Sequence, residues 1–225
     1  MPEPALALGV ALLTGLVIAL GIAPVLRRLP EPSADQPGAD TKLRYAQLPT
    51  RRFVTAVTLL SVAATFVAWA VLPARLQPLW TVLATVGVLL AAIDARTTWL
   101  PRTLSVVGWL TMMVAVGGSV ALGVSPADVG RTAAGAALAW GLYLLIWAAT
   151  RGGFGFGDVR FAPLLGAAAA AHSWTLLAAT LMLGTVLGAV HGLFRLVRRR
   201  NSEFPYAPSM LAGAYLAAVI NRLSG

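Results

Sequence analysis

Asp158 stands directly after a glycine-rich stretch, Gly152-Gly153-Phe154-Gly155-Phe156-Gly157, and at the head of a strongly apolar run. A second acidic residue, Asp94, ends another apolar run and begins a short basic loop. Two carboxylates that converge resist carrying two negative charges, so one holds a proton while the other stays ionised. Such a pair polarises a water molecule for attack on an amide carbon, and the protonated partner supports the developing oxyanion. The pair titrates as a unit, so residue types alone do not say which aspartate is base and which is acid. Gly155 and Gly157 have no side chains, which lets the backbone turn sharply or approach a bound chain. They also place Asp158 at a helix N-terminus, where free N–H groups favour a carboxylate. The plainer alternative is that Asp158 caps a helix and Asp94 anchors an interface. A phosphate-binding loop is disfavoured, because no Gly-Lys-Ser/Thr ending follows and no strand precedes the glycines.

The elements that must position these residues follow from composition. The chain has 225 residues, is 58% hydrophobic and only 11% charged. Soluble domains carry roughly 25% charged residues. Lipid as solvent resolves the excess. There every backbone polar group must pair internally, and continuous apolar runs of this length favour helices over barrel strands. Cysteine is absent, which removes disulfides, thiolate nucleophiles and cysteine-based zinc sites. His172 and His191 lie far along the chain from Asp94, so a histidine metal site is not expected. The net charge of +9 is divided among several short loops, a membrane-protein pattern rather than a nucleic-acid one.

In chain order, an apolar run over 5–26 follows Met1-Pro2-Glu3-Pro4 and precedes Arg27-Arg28. With no basic start, it reads as a retained span with its N-terminus outside. Residues 29–52 are proline-rich and basic, through Lys42, Arg44, Arg51 and Arg52. They read as a cytoplasmic loop near anionic headgroups or as a substrate-contacting loop. Further spans are expected over 53–72, 79–93, 104–122 and 130–150, with a turn at Pro73–Pro78 and Asp128 as a cap. The apolar stretch 161–194 would make a helix of about 50 Å, against a bilayer core of about 30 Å. A break near His172-Ser173 therefore gives helices over about 158–171 and 174–195. A last short helix ends near Ile220. The alanine-rich 162–171 segment is expected at the centre, since small residues permit close helix approach in lipid.

The fold expected is thus all-α, a polytopic membrane protein with about eight transmembrane helices. Counting Lys and Arg by side gives 14 on one face and three on the other. The rule that basic loops stay inside puts Asp94 and Asp158 at the cytoplasmic face and Asp128 opposite.

The whole chain resembles the type IV prepilin peptidase family of membrane aspartic proteases. Gly155-Phe156-Gly157-Asp158 matches the Gly-x-Gly-Asp motif, flanked by Gly153 and by Val159-Arg160, where lysine is usual in place of Arg160. Ile93-Asp94, followed by Leu100-Pro101, matches the first aspartate block. Pro205-Tyr206-Ala207-Pro208 resembles the late Pro-Phe-Gly-Pro block. The resemblance implies Asp94 and Asp158 as the catalytic pair. It implies Gly153, Gly155, Gly157, Arg160, Leu100, Pro101, Pro205 and Pro208 as residues that shape the site or bind substrate. It further implies cleavage of basic leaders from prepilins, pseudopilins or Flp-type pilins at the cytoplasmic face of a bacterial inner membrane, with membrane lipids as the other partners and no cofactor or metal. The chain then divides into a first span with its short basic loop, residues 1–52, and a peptidase helical domain, 53–225. Many bacterial members carry a larger cysteine-bearing insertion linked to N-methylation. Here the loop is short and cysteine-free, so peptidase activity is expected and methyltransferase activity is not supported. The competing classes are a non-proteolytic transporter using the aspartates as relays and a pilus or secretion assembly protein.

Overall fold

Each apolar run closes its own backbone hydrogen bonds, and the outcome is helical throughout. The computed structural model describes residues 4–32, 42–151, 155–198 and 204–224. Among the described residues there are eight helices and no strand. They are α1 (Pro4–Arg28), α2 (Arg51–Val71), α3 (Ala74–Thr97), α4 (Arg102–Ala121), α5 (Pro126–Ala149), α6 (Phe156–His172), α7 (Trp174–Val197) and α8 (Ala207–Leu223). Six of them, α1 to α5 and α7, are long and apolar enough to cross a membrane, where about eight spans were expected. The other two, α6 and α8, have 17 residues each. At 1.5 Å per residue they reach about 25 Å, short of a bilayer core.

Local chemistry sets the helix ends. Thr50 accepts the Phe53 N–H and caps α2. Ser173 is fully extended and accepts the Leu176 N–H, so the long apolar stretch breaks there, at the expected place. The expectation that Asp128 caps α5 is corrected: Ser125 caps it, taking the Asp128 N–H at 3.2 Å, and α5 starts earlier than expected, at Pro126. Asp128 instead pairs with Arg131 at 2.8 Å. Arg131 in turn donates to the carbonyls of Ala170, Ala171 and His172 at the C-terminus of α6. The free carbonyls of a helix end attract such a cation. The Pro73–Pro78 segment is also not merely a turn. Helix begins at Ala74, and Pro78 sits in the first turns, where its missing N–H breaks little. Inside α3, residues Leu83–Gly87 form a π-helical turn.

The centre of the structure is α6, in which every residue from Leu164 to Ala171 is buried. It lies hard against α5. A Cβ on Gly135 of α5 would come within 2.7 Å of the Gly166 carbonyl oxygen, so only glycine permits this approach. On the α3 side, the Trp80 indole donates to the Ala168 carbonyl at 3.2 Å, and its ring meets Tyr215 of α8 edge-on. The helix that bears Asp158 in its first turn is thereby fixed from both flanks.

The loop after α1 is not simply solvated. In its described part Tyr45 and Leu48 are buried, and Tyr45–Gln47 form a single 3-10 turn. The Glu31 carboxylate accepts the N–H groups of Tyr45 and Ala46, both at 3.0 Å, and pins that turn against the end of α1.

Candidate active site

Asp94 lies in the last turn of α3, one turn further into the helix than an apolar run ending at 93 implies. The helix stops because Thr98 adopts the left-handed conformation, φ 56° and ψ 19°. The Thr97 hydroxyl ties the turn together, donating to the Ile93 carbonyl at 2.9 Å and accepting the Trp99 N–H at 3.2 Å. Asp94 is only 3% exposed. Its carboxylate faces the start of α8: the Ala207 N–H donates to Asp94 Oδ2 at 3.1 Å, and the Tyr206 N–H is a further donor. A carboxylate there meets unpaired N–H groups and the positive end of the helix dipole.

Asp158 is the third residue of α6 and is 6% exposed. Its Oδ1 is buried and has no hydrogen-bond partner among the described residues. A buried, unpaired carboxylate oxygen is expensive in a folded protein. The charge of Asp94 acts on Asp158 through space, so the two carboxyl groups belong to one site.

The two aspartate blocks meet through Leu100 and Gly157. A Cβ on Gly157 would lie 2.8 Å from the Leu100 Cβ, so glycine at this position lets the start of α6 settle on the loop after Asp94. A Cβ on Gly155 would sit 3.0 Å from Asp158 Oδ2 and crowd the carboxylate directly. Pro101 precedes α4, and its carbonyl accepts both the N–H and the hydroxyl of Ser105. Pro205 is buried and Pro208 occupies the first turn of α8, flanking the two N–H groups that hold Asp94. Arg160 points elsewhere: its guanidinium covers the Phe156 ring at 4.8 Å, and its carbonyl accepts the Trp109 indole N–H at 2.9 Å. Gly153 lies outside the described residues.

Several neighbours escaped the reading from sequence. Tyr143 of α5 is 2% exposed; its phenol makes hydrogen bonds with Tyr206 and Thr185 and feels the charge of Asp158. The Tyr143 and Tyr206 rings stand 6.1 Å apart. Only Tyr206 carried a signal, through its place in the late proline block. From the loop after α1, burial together with the charges of Glu31 and Asp94 pushes the Tyr45 phenol well above its usual range. Lys42 acts on Asp94 from the same loop, and its ammonium covers the Trp99 ring at 4.2 Å. Among the described residues no three His, Cys, Asp or Glu side chains gather as a metal site would require.

A model of the Type IV leader peptidase family matches residues 81–193, half of the chain. The match contains Asp94, Leu100, Pro101 and the Gly155–Asp158 turn, and it ends before the Pro205–Pro208 block that reaches Asp94 in space. No curated protein and no solved structure matches the chain. With the family model spanning both aspartate blocks, and both blocks meeting in a multi-pass helical membrane protein, the chain belongs to the Type IV leader peptidase family of prepilin-type aspartic peptidases.

Proposed function

We propose that the chain is a membrane aspartic endopeptidase that removes the basic leader from prepilin-like, pseudopilin or Flp-type substrates at the cytoplasmic face of the bacterial inner membrane. The observation that carries this reading is the meeting of Asp94 and Asp158, both buried, Asp94 in the last turn of α3 facing the start of α8, Asp158 in the first turn of α6, with the charge of Asp94 acting on Asp158. Asp94, with N–H donors from Tyr206 and Ala207, is the partner suited to stay ionised. Asp158, whose Oδ1 lacks a donor among the described residues, is the partner suited to hold the proton.

On this assignment a water between the carboxyl groups gives a proton to Asp94, and its oxygen bonds to the scissile carbonyl carbon. The Asp158 proton passes to the carbonyl oxygen, giving a neutral gem-diol. Asp94 then protonates the amide nitrogen, the C–N bond breaks, and a gem-diol hydroxyl returns its proton to Asp158. Both carboxyl groups end as they began. The step that needs help is charge development on oxygen, and a buried site strengthens that help. The test is co-expression in membranes with a candidate prepilin, followed by intact mass. A product shortened by the leader is expected; an unchanged mass with folded enzyme present would end this reading. Because carboxyl groups do the proton work, exhaustive chelation of purified enzyme is expected to leave the rate unchanged. Loss restored by one particular metal would overturn the mechanism.

Orientation has its own expected outcome. The chain is free of cysteine, so single cysteines at Ala95 and Gly130 report topology cleanly. Both positions are exposed, and Gly130 has open space around its Cα. An impermeant thiol reagent on intact cells is expected to label position 130, and position 95 only after lysis. The reverse order would place the aspartates outside.

A further inference from the structure

We propose that Lys42 is a positioning residue of the aspartate pair, seated on the Trp99 ring beside the turn that ends the Asp94 helix and carried by a segment that Glu31 clasps, so that its charge acts on Asp94. The inference rests on the peptidase reading and adds a residue that lies outside the matched stretch of the family. Three features of the structure converge on it. The Lys42 ammonium lies 4.2 Å from the centre of the Trp99 ring, and Trp99 belongs to the turn that ends the Asp94 helix. Three residues on, Tyr45 is buried beside the end of α1, and its phenol feels the charge of Asp94. Both Glu31 oxygens accept backbone N–H groups of that turn, so the segment carrying Lys42 has a fixed anchor. A ring face attracts an ammonium and restricts a side chain that would otherwise sample many rotamers.

A fixed cation beside one of two coupled carboxyl groups breaks their symmetry. It favours the charged form of the nearer one and so directs the shared proton to the other. Among the described residues, the groups that act around Asp94 are Lys42 and Tyr45 from the loop after α1, Asp158 from α6, and the backbone N–H groups of Tyr206 and Ala207 before and at the start of α8. Of the side chains among these, only Lys42 brings positive charge. The loop that is short and cysteine-free in this chain thereby does electrostatic work at the site.

The experiment compares wild type, Lys42→Met, Lys42→Arg and Trp99→Leu as full-length proteins in liposomes, with one prepilin substrate, across pH. Lys42→Met is expected to lower kcat roughly tenfold and to move the acidic limb of the kcat profile upward by about one pH unit, the effect of removing one nearby charge. KM is expected to stay within about twofold. Lys42→Arg keeps the charge and the ring contact and is expected to restore most of the rate and the original profile. Trp99→Leu removes the ring face under the ammonium and is expected to move the limb in the same direction by less, which keeps the proposal testable if Lys42→Met does not fold. An unchanged profile in both, or a rise in KM alone with kcat and profile intact, would overturn it. A wild type that cleaves nothing, or an Asp94→Asn variant that cleaves normally, is a different result: it removes the peptidase mechanism itself.

Discussion

Asp94→Asn and Asp158→Asn are each expected to lower leader cleavage by about 10³-fold or more, while Asp128→Asn retains it. Asparagine keeps the shape of aspartate and still offers an oxygen to the Ala207 N–H, which now reaches Asp94 Oδ2 at 3.1 Å. What it lacks is the change between carboxylate and carboxylic acid. The proposed cycle passes a proton through each aspartate once in each direction, so neither position tolerates a group that cannot titrate. Removing one charge from a buried coupled pair is not expected to unfold the protein, because the burial penalty falls with the charge. Asp128 differs in every respect that matters. It lies at the start of α5, pairs with Arg131, and serves the C-terminal end of α6 rather than the end that bears Asp158. Its variant is expected to loosen that end and leave the chemistry. The comparison is made on purified proteins at equal folded amounts, with mature product followed by mass spectrometry. Substantial cleavage by either single variant at position 94 or 158 would sink the two-aspartate mechanism. Loss of cleavage with substrate binding intact would place the defect in the chemistry.

The parts of this architecture that were legible from sequence are those set by solvent and by period. Continuous apolar runs demanded helices, and one run too long for a bilayer demanded a break, which falls at Ser173. The alanine run demanded close neighbours, and α6 has them on all sides. The parts that were not legible depend on partners distant in sequence. Nothing near Asp128 reveals that Arg131 would turn to the carbonyls of α6, and without that partner a capping role looks as good as a pairing one. The span count differs because hydropathy sees apolar length, whereas α6 and α8 stop at 17 residues, through the turn at Ser173 and the start at Ala207. The loop after α1 reads as solvated because proline and arginine dominate its composition. Its fixed geometry comes instead from one carboxylate, Glu31, meeting two N–H groups 14 and 15 residues away. In the site, the aspartates and the glycine turn carried their own signals. Tyr143 did not, since one tyrosine in an apolar helix has no local pattern that points to Asp158.

Gly135→Ala is expected to damage both stability and rate, whereas Gly141→Ala, six residues along the same helix, is expected to do neither. The substitution is the same, the host helix is the same, and only the neighbours differ. At Gly141 an added Cβ meets nothing within 4 Å. There the change removes backbone freedom from the unfolded chain and gains up to about 1 kcal/mol in helix propensity. At Gly135 the added Cβ would run into the Ala170 side chain and come within 2.7 Å of the Gly166 carbonyl oxygen. Backbone cannot rotate aside as a flexible side chain does, so the two helices must separate. Overpacking of this kind costs about 1–3 kcal/mol. The larger consequence is at the site. Displacing α6 from α5 carries Asp158 with it, since that residue sits on the first turn of the same helix. A misplacement near 1 Å at a reacting group lowers rates by about 10²-fold. Thermal unfolding in one detergent, read beside kcat at equal folded amounts, separates the two effects. We expect Gly135→Ala to unfold at lower temperature and, in the fraction that remains folded, to cleave far more slowly than Gly141→Ala. If the two variants melt together and cleave alike, α6 is not held by this glycine contact, and the position of Asp158 must be set by Leu100 against Gly157 and by the Trp80 bond to Ala168 instead.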